Sequence, residues 1–539
     1  MTMTDSAVKF DAVVVGAGHN GLVCAAYLAR AGLRVIVLEA RDDFGGAATT
    51  EEFVEGFKIS SCSQWLNKLH PEIIKDLQLE KHGLKILARD LDTVSLSEDG
   101  NNLLLGERGL EGGDISEADR LAYDGFNRQM KKFARLLANA FDARAPKIVD
   151  SNLKDRITLL KLAMRMKLLG KSDMAELLRV ALMNIYDVME EKFDSEQLKA
   201  AISIDGILGT HMGPRSPNTL FVYLYHKLSE VYGYKGPAVV EGGMGRVGDA
   251  LAASARNSGV ELRAGSRVAK IETERGRVIG VRLSGGEIIQ SGLVVSNADP
   301  KTTFETLVGY RNVEAGVVRK VSNIRMKGNT AKLHLALSAL PDFSGVSEQQ
   351  LGQRLIIAPH MKQIDQAFNA AKYAEYSTEP VMDISIPSIH DDSLAEGNGQ
   401  VLSAIVQFAP YDLKEGWDNA KDSFLNLLID QLECYAPGIK SLIIGKQLLT
   451  PVDLAEKFNL SGGHWHHGEI SVDQMLMMRP FPGAAQYAMP VDGLFLCGAG
   501  AHPGGGVMGL AGRNAAREIE HYKATSKTEN RADSEETDQ

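Results

Sequence analysis

An apolar run of strand length, FDAVVV at residues 10–15, leads directly into Gly16-Ala17-Gly18-His19-Asn20-Gly21, a G-x-G-x-x-G. The run is rich in β-branched Val, which suits a buried strand. A helical stretch follows from Leu22 to Ala31, and Gly32 stands where a helix stops. A second strand, Arg34-Val35-Ile36-Val37-Leu38, ends on Glu39. Strand, glycine motif, helix, strand and acid in this order predict a βαβ unit that binds a dinucleotide. Gly16 permits the tight turn, and Gly18 lets the backbone approach a pyrophosphate. Gly21 lets the helix pack close to the strand; His19, Asn20 and the helix N-terminus face the phosphates. Glu39 lies 18 residues beyond Gly21, where a carboxylate accepts from ribose hydroxyls. A glycine-rich turn in an ordinary α/β domain would leave the placement of Glu39 unexplained. The motif by itself fits NAD and FAD equally.

The next residues, LEARDDFGGAATT from Leu38 to Thr50, narrow the choice. Here the chain resembles the flavoprotein superfamily of amine oxidases, protoporphyrinogen oxidase and phytoene desaturases. In that superfamily a Gly-Gly pair follows the ribose-binding acid and passes close to the FAD pyrophosphate. The resemblance gives this role to Gly45 and Gly46, flanked by Ala40 and Ala47, and implies FAD. Most members continue Gly-Gly-Arg; Ala47 stands in that place, so one cationic phosphate contact is missing. The variant GGAATTE is similar to the phytoene-dehydrogenase-related branch. That branch includes the O-type β-carotene ketolases and pyridine nucleotide-disulphide oxidoreductase domain-containing protein 2.

The resemblance covers residues from about Asp11 to Glu520. Asp492–Gly498 (DGLFLCG) reads as a strand, Gly500–Gly509 as a glycine-rich loop, and Leu510–Tyr522 as a helix. In the superfamily this strand carries the chain under the flavin ring. Gly498, Gly500, Gly505, Gly506 and Val507 are thereby expected beside it, where free N–H groups and a helix N-terminus favour negative charge. The resemblance also places the backbone of Val268 against adenine. It implies an α/β fold: a Rossmann-type FAD-binding domain in three pieces (1–90, 236–300, 476–522) and an inserted α+β substrate domain in two (91–235, largely helical, and 301–475). Residues 523–539 are polar without an apolar period and read as a disordered tail.

With 539 residues the chain can bury a large core and hold two domains. Its net charge of −10 argues against a nucleic-acid partner. No run of eighteen apolar residues exists to span a membrane, and Met1–Lys9 lacks the apolar core of a secretory signal. The expected location is cytoplasmic, with peripheral membrane contact kept open. The cysteines Cys24, Cys62, Cys434 and Cys497 form no C-x-x-C, so no redox disulfide is expected. None is obviously placed for flavin attachment, which makes the expected FAD non-covalent.

Four stretches carry competing readings. Gly243–Gly248 is a second formal G-x-G-x-x-G, but the strand before it is poor and no acid-ended βαβ follows. It reads as the return to the FAD domain rather than an NAD site. Three histidines in Ser461–Glu469 (SGGHWHHGE) raise the question of a metal; no partner cluster supports one, and no metal is expected. Ser60, Ser61 and Ser63 either face the flavin or sit in a polar loop. Asn152–Lys171 is dense in Leu, Met, Lys and Arg. It reads either as a packed helix with a solvated basic face or as a helix lying in a membrane interface.

The resemblance implies desaturation of an apolar polyene or isoprenoid-like molecule, with hydride transfer to flavin N5. O-type carotenoid ketolation and flavin-dependent isomerisation are the enzymatic alternatives. A flavin-binding interaction protein with little turnover is the alternative of another class. Quinone or oxygen is favoured over NAD(P) as electron acceptor. The catalytic acid or base is not identified; Glu241, His467 and Glu469 are weak candidates, and the oligomeric state is open.

Overall fold

The computed structural model describes the backbone of residues 10–537 and the side chains of residues 10–524. The N-terminal stretch read for a secretory signal, Met1–Lys9, lies outside the described residues.

A five-stranded, all-parallel sheet forms the first layer. Its order is Glu261–Arg263, Val35–Leu38, Ala12–Val15, Val294–Ser296, Leu494–Leu496. Every residue of Ala12–Val15 and Val35–Leu38 is buried, as the continuous apolar runs require of a sheet covered on both faces. The helices His19–Arg30 and Gly245–Asn257 pack together beside it, and the helix beginning at Leu510 packs on the first of them. The sheet collects strands from three distant parts of the chain, so the α/β fold with a Rossmann-like sheet is observed as expected.

The second layer is an eight-stranded mixed sheet built mainly from residues 330–449. It also takes Thr93–Ser95, Leu103–Gly106 and Gly109–Gly112, which reach it through the parallel pairing of Thr93–Ser95 with Arg354–Ile357. The helix Trp417–Tyr435 covers one face; the helices between residues 117 and 231, with Met361–Lys372, pack near the other. Residues 304–326 and 470–475 contribute to the core of the parallel sheet instead.

Two local readings are narrowed and a third changes. The second glycine motif does not begin a nucleotide-binding unit. Val239–Val240 pairs with Ile86–Ala88 outside the parallel sheet, and a Cβ on Gly248 would lie 2.7 Å from the Cα of Gly45. The motif lets a helix pack against the first Gly-Gly turn. The helix Leu153–Leu168 is not packed along its length: of its residues only Asp155 is buried. The last helix runs Leu510–Thr537, so helical backbone continues into residues 523–537, where the lack of an apolar period predicts disorder. A nucleated helix propagates at little cost per residue, and Ala, Lys, Glu and Arg are good helix formers. Residues 538–539 lie outside the description.

Candidate functional site

The parallel strands all end at one edge, at Gly16, Glu39, Asn297 and Cys497, where open α/β sheets bind ligands. A groove of about 430 Å³ crosses that edge. It is lined by Gly16, Gly18, His19, Asn20, Glu39 and Ala40, and by Gly46, Ala47 and Val268. The structure therefore brings these sequence-named cofactor residues to one surface. Gly21, Gly45, Gly498 and Gly500 are not part of its wall. A Cβ on Gly21 would lie 2.3 Å from the Gly16 carbonyl oxygen, so only glycine allows the helix to sit this close to the strand. Gly46 has φ +64°, and a Cβ there would come 3.0 Å from the Cα of Gly18. The two glycine turns thus touch backbone to backbone, bridged between Gly18 and Gly45.

The groove fits a dinucleotide on its own chemistry. The helix His19–Arg30 has no side-chain cap at Gly18 and no acidic residue in its first turn, which leaves its positive end free for an anion. Glu39 is buried, and its two carboxylate oxygens accept from the N–H groups of Ala17 at 2.7 Å and Arg41 at 3.0 Å. These bonds fix the carboxylate beside the groove and leave it lone pairs for ribose hydroxyls. His19 Nε2, Asn20 Oδ1 and Arg41 Nη1 are buried with no hydrogen-bond partner. Such groups are costly unless a ligand satisfies them.

Arg41, Arg267 and Asn297 also line the groove and are residues that the sequence motifs do not single out. Arg41 puts a cation there although Ala47 supplies none. It is held by Asp43 and Glu51 and lies over the Phe458 ring at 5.0 Å. Its position two residues after Glu39 is the signal that could have found it.

His19, Ala47 and Trp465 line both the groove and a second cavity, of about 120 Å³. Ala48, Leu208, Ile405 and Val507 give this cavity apolar walls. Cys62, Gln64, Lys68, His226 and His466 give it polar atoms, and Gly506 closes one side. Trp65, Asn67, Leu208 and His226 in turn line an outer channel of about 420 Å³. That channel is polar, with Asp205, Tyr223, Lys227, Arg354 and Asp383 in its wall. Groove, inner cavity and outer channel thus adjoin one another through shared wall residues.

Burial sets the electrostatics of these spaces. It pushes His19 down to about 4, with His467 adding to the effect. It takes His467 to about 4 and His226 to about 3, and holds His466 well below the ordinary histidine range. These rings are neutral at pH 7. Burial also lowers Lys68 to about 7 and raises Cys62 to about 12. Cys62, which no motif places near the flavin, therefore lines the cavity as a thiol rather than a nucleophilic thiolate.

The C-terminal glycine loop is rigidly held. Tyr225 donates to the Gly505 carbonyl. The buried Arg479 donates to the Ala499 carbonyl at 2.7 Å and to those of Gly468 and Glu469, tying this loop to the 464–474 segment. Gly506 and Val507 face the inner cavity; a Cβ on Gly505 would meet His466 Nδ1 at 2.6 Å.

The three acid–base candidates separate. His467 lies in the dinucleotide groove. Glu469 is buried and lines neither groove nor cavity; it accepts from the His211 N–H at 3.3 Å and faces His464 Nε2 at 3.9 Å. Glu241 pairs with Lys85 at 2.7 Å on the surface, with its side chain 47% exposed, and lines neither groove nor cavity. Ser60 and Ser61 are structural: Ser60 accepts from the Met244 N–H and Ser61 donates to Glu51. Ser63 lines the inner cavity. Among the described residues no group of three His, Cys, Asp or Glu side chains is arranged to hold a metal.

The model of the family described as flavin containing amine oxidoreductase matches residues 21–520. The chain is 37% identical to pyridine nucleotide-disulfide oxidoreductase domain-containing protein 2 of Rattus norvegicus, over 94% of this chain and 93% of that protein. It is 25% identical to a limonene dehydrogenase polypeptide of Castellaniella defragrans, over 94% of each. A solved structure of putrescine oxidase bound to putrescine superposes with a TM-score of 0.61 at 15% identity, covering 96% of this chain and 99% of that one.

Proposed function

The chain belongs to the flavin containing amine oxidoreductase family and is an FAD-dependent oxidoreductase; on that premise we propose that its substrate is an apolar, isoprenoid- or polyene-like small molecule that it dehydrogenates. The observation that carries this reading is the inner cavity. Its walls at Ala47, Ala48, Leu208, Ile405 and Val507 suit hydrocarbon, and it shares His19, Ala47 and Trp465 with the groove. The 25% identity to a protein named as a limonene dehydrogenase supports the substrate class, as does the GGAATTE variant of the Gly-Gly turn.

Bound FAD supplies the hydride acceptor at N5. The substrate loses a hydride and a proton from adjacent carbons and gains a C=C bond. Glu39 and the two glycine turns would hold the ribose and pyrophosphate, non-covalently. The loop Gly504–Val507 would lie against the ring, and the tryptophans at 65 and 465 would exclude water from the reacting carbons. The second glycine motif packs a helix, so nothing in it favours a nicotinamide acceptor over quinone or oxygen. Ketolation and isomerisation use the same cavity and stand as alternatives. Anaerobic titration of the yellow protein with isoprenoids and polyenes tests the reading. Loss of the oxidised-flavin absorbance is expected; bleaching by amines alone would overturn it.

A second observation favours delivery from a membrane surface. No helix among the described residues is long and apolar enough to cross a membrane. The helix Leu153–Leu168, however, exposes Leu153, Ile157, Leu160, Met164 and Leu168, spaced to fall on one face. Its capping box, and Asp155 bound to Arg144 and Gln486, anchor its start to the body. Apolar bulk with Lys154, Arg156, Lys161, Arg165 and Lys167 around it matches an anionic lipid surface.

A further inference from the structure

We propose that Lys68 and His226 form a recognition site for a carboxylate on the substrate, so that the molecule oxidised is an apolar chain with an anionic end. This deepens the apolar-substrate reading and rests on it.

Lys68 is 2% exposed, yet its ammonium group lines the inner cavity. Its hydrogen-bond partner is His226 Nδ1, at 2.9 Å, and its Nζ lies 4.9 Å from the Tyr225 ring centroid. Among the described residues no carboxylate forms an ion pair with it. Lys199 shows the ordinary arrangement for a buried lysine: it is 4% exposed and sits against Glu190 at 3.1 Å and Glu196 at 2.6 Å. An ammonium group has three donors, and Lys68 uses one. His226 Nε2 is also buried without a well-formed hydrogen bond, the Leu208 backbone being the polar group beside the ring. Both unused positions belong to residues of the inner cavity, and His226, which also lines the outer channel, marks the neck between the two.

The surroundings leave this cation uncompensated. Tyr225 and His226 face it from the helix Thr219–Val231, and Asp205 and Arg354 act on it from the channel wall. His466 acts on it from the 464–474 segment. The one carboxylate in this set, Asp205, is bound by Arg354 at 2.8 Å. Burial without a counter-ion is what lowers Lys68 to about 7. A carboxylate arriving at the neck would restore the charge and accept from both side chains. A chain attached to it would run inward along Leu208 and Ile405 toward Val507. Planar, compact and monoanionic, a carboxylate suits a cavity of about 120 Å³.

The probes are dodecanoate and dodecanol, each titrated into the purified holoenzyme at pH 6.5 while the flavin absorbance is followed. Dodecanoate should bind about tenfold or more tightly than dodecanol. Lys68→Met should remove that preference and leave dodecanol binding unchanged; Lys68→Arg should keep most of it. In the wild type, dodecanoate affinity should fall about tenfold per pH unit above pH 7, as the amine loses its proton, and in Lys68→Met it should be flat. Should Lys68→Met fail to retain FAD, His226→Leu is expected to weaken dodecanoate selectively. Equal binding of the two amphiphiles, or a preference that survives Lys68→Met, overturns the inference and leaves the apolar reading standing. Absence of any response to either amphiphile overturns both.

Discussion

The carboxylate of Glu39, at the end of one strand, accepts the N–H of Ala17, just past the end of its neighbour, at 2.7 Å. A second bond from Arg41 N–H fixes the other oxygen. The carboxylate that we propose accepts from the ribose is thus positioned before any ligand arrives. Glu39→Ala is expected to weaken FAD binding by about 1.5–3 kcal/mol, the worth of a charged hydrogen bond. Glu241→Ala should change it little, because its exposed pair with Lys85 is worth at most about 1 kcal/mol. FAD dissociation constants of the two variants check this. Equal losses would place the ribose elsewhere.

Acid precipitation should release all the flavin into the supernatant. Cys62 lines the cavity, but burial keeps its thiol protonated up to about 12, and the thiolate is the form that attacks. Yellow colour held in the pellet, and lost in Cys62→Ser, would show a covalent link through this residue.

Arg354 is buried between Asp383 at 2.8 Å and Asp205 at 2.8 Å. Arg354→Met leaves two carboxylates facing one another across the channel wall without their cation. Removing one partner of a buried ion pair costs about 3–5 kcal/mol, so thermal unfolding of the holoenzyme should begin markedly earlier. Adding Asp383→Asn should restore part of the loss. A single variant as stable as the wild type would mean that water fully solvates both acids.

The dinucleotide groove is legible in the sequence because its parts are local. Strand, Gly16–Gly21, helix and Glu39 follow one another in the chain, and each obeys a spacing rule that reads without tertiary structure. The inner cavity is not legible in this way. Lys68 meets His226 from 158 positions away, and neither stands in a motif. Lys68 follows Trp65 in a stretch whose serines are the more conspicuous polar groups. Glu241 stands out because it precedes a glycine motif, and that motif is a packing device. The surface candidate and the unmarked cavity pair have one cause: a cavity lined by several chain segments leaves no periodic or spaced signal in any one of them.

Acid should destabilise the apo-protein in a defined window. His19, His467 and His502 are lowered to about 4 and His226 to about 3, against an ordinary value of 6.5. Between these limits the unfolded chain binds protons that the folded chain refuses, so stability falls as pH drops through 6.5 toward 4. Each histidine contributes about 1.4 kcal/mol per pH unit in that range. The histidines alone should leave the melting temperature unchanged above pH 7 and make it fall steeply below 6.5. Lys68 adds the same sign at higher pH, with stability rising from about 7 to 10.5 as the unfolded lysine alone stays charged. A melting temperature constant between pH 4.5 and 6.5 would show these rings reached by solvent.

The exposed face of the helix Leu153–Leu168 makes the last prediction. Leu153 is 73% exposed and Leu168 81%, and among the described residues Lys154, Arg156, Lys161, Arg165 and Lys167 form no ion pairs. Apolar side chains bared along four turns are unfavourable in water, and unpaired cations beside them gain about 1 kcal/mol each near an anionic leaflet. The chain's net charge of −10 opposes the approach, so the attraction must be local to this helix. Co-sedimentation with liposomes should require anionic lipid and weaken as salt screens the charges. Changing Lys161, Arg165 and Lys167 together to Glu should abolish it with FAD content intact. Changing Leu160 and Met164 to Ser should weaken it even at low salt, because the apolar term does not depend on ionic strength. Wild-type protein that ignores liposomes of every composition would mean that this face meets a protein partner or a second copy, and that the substrate reaches the outer channel from solution.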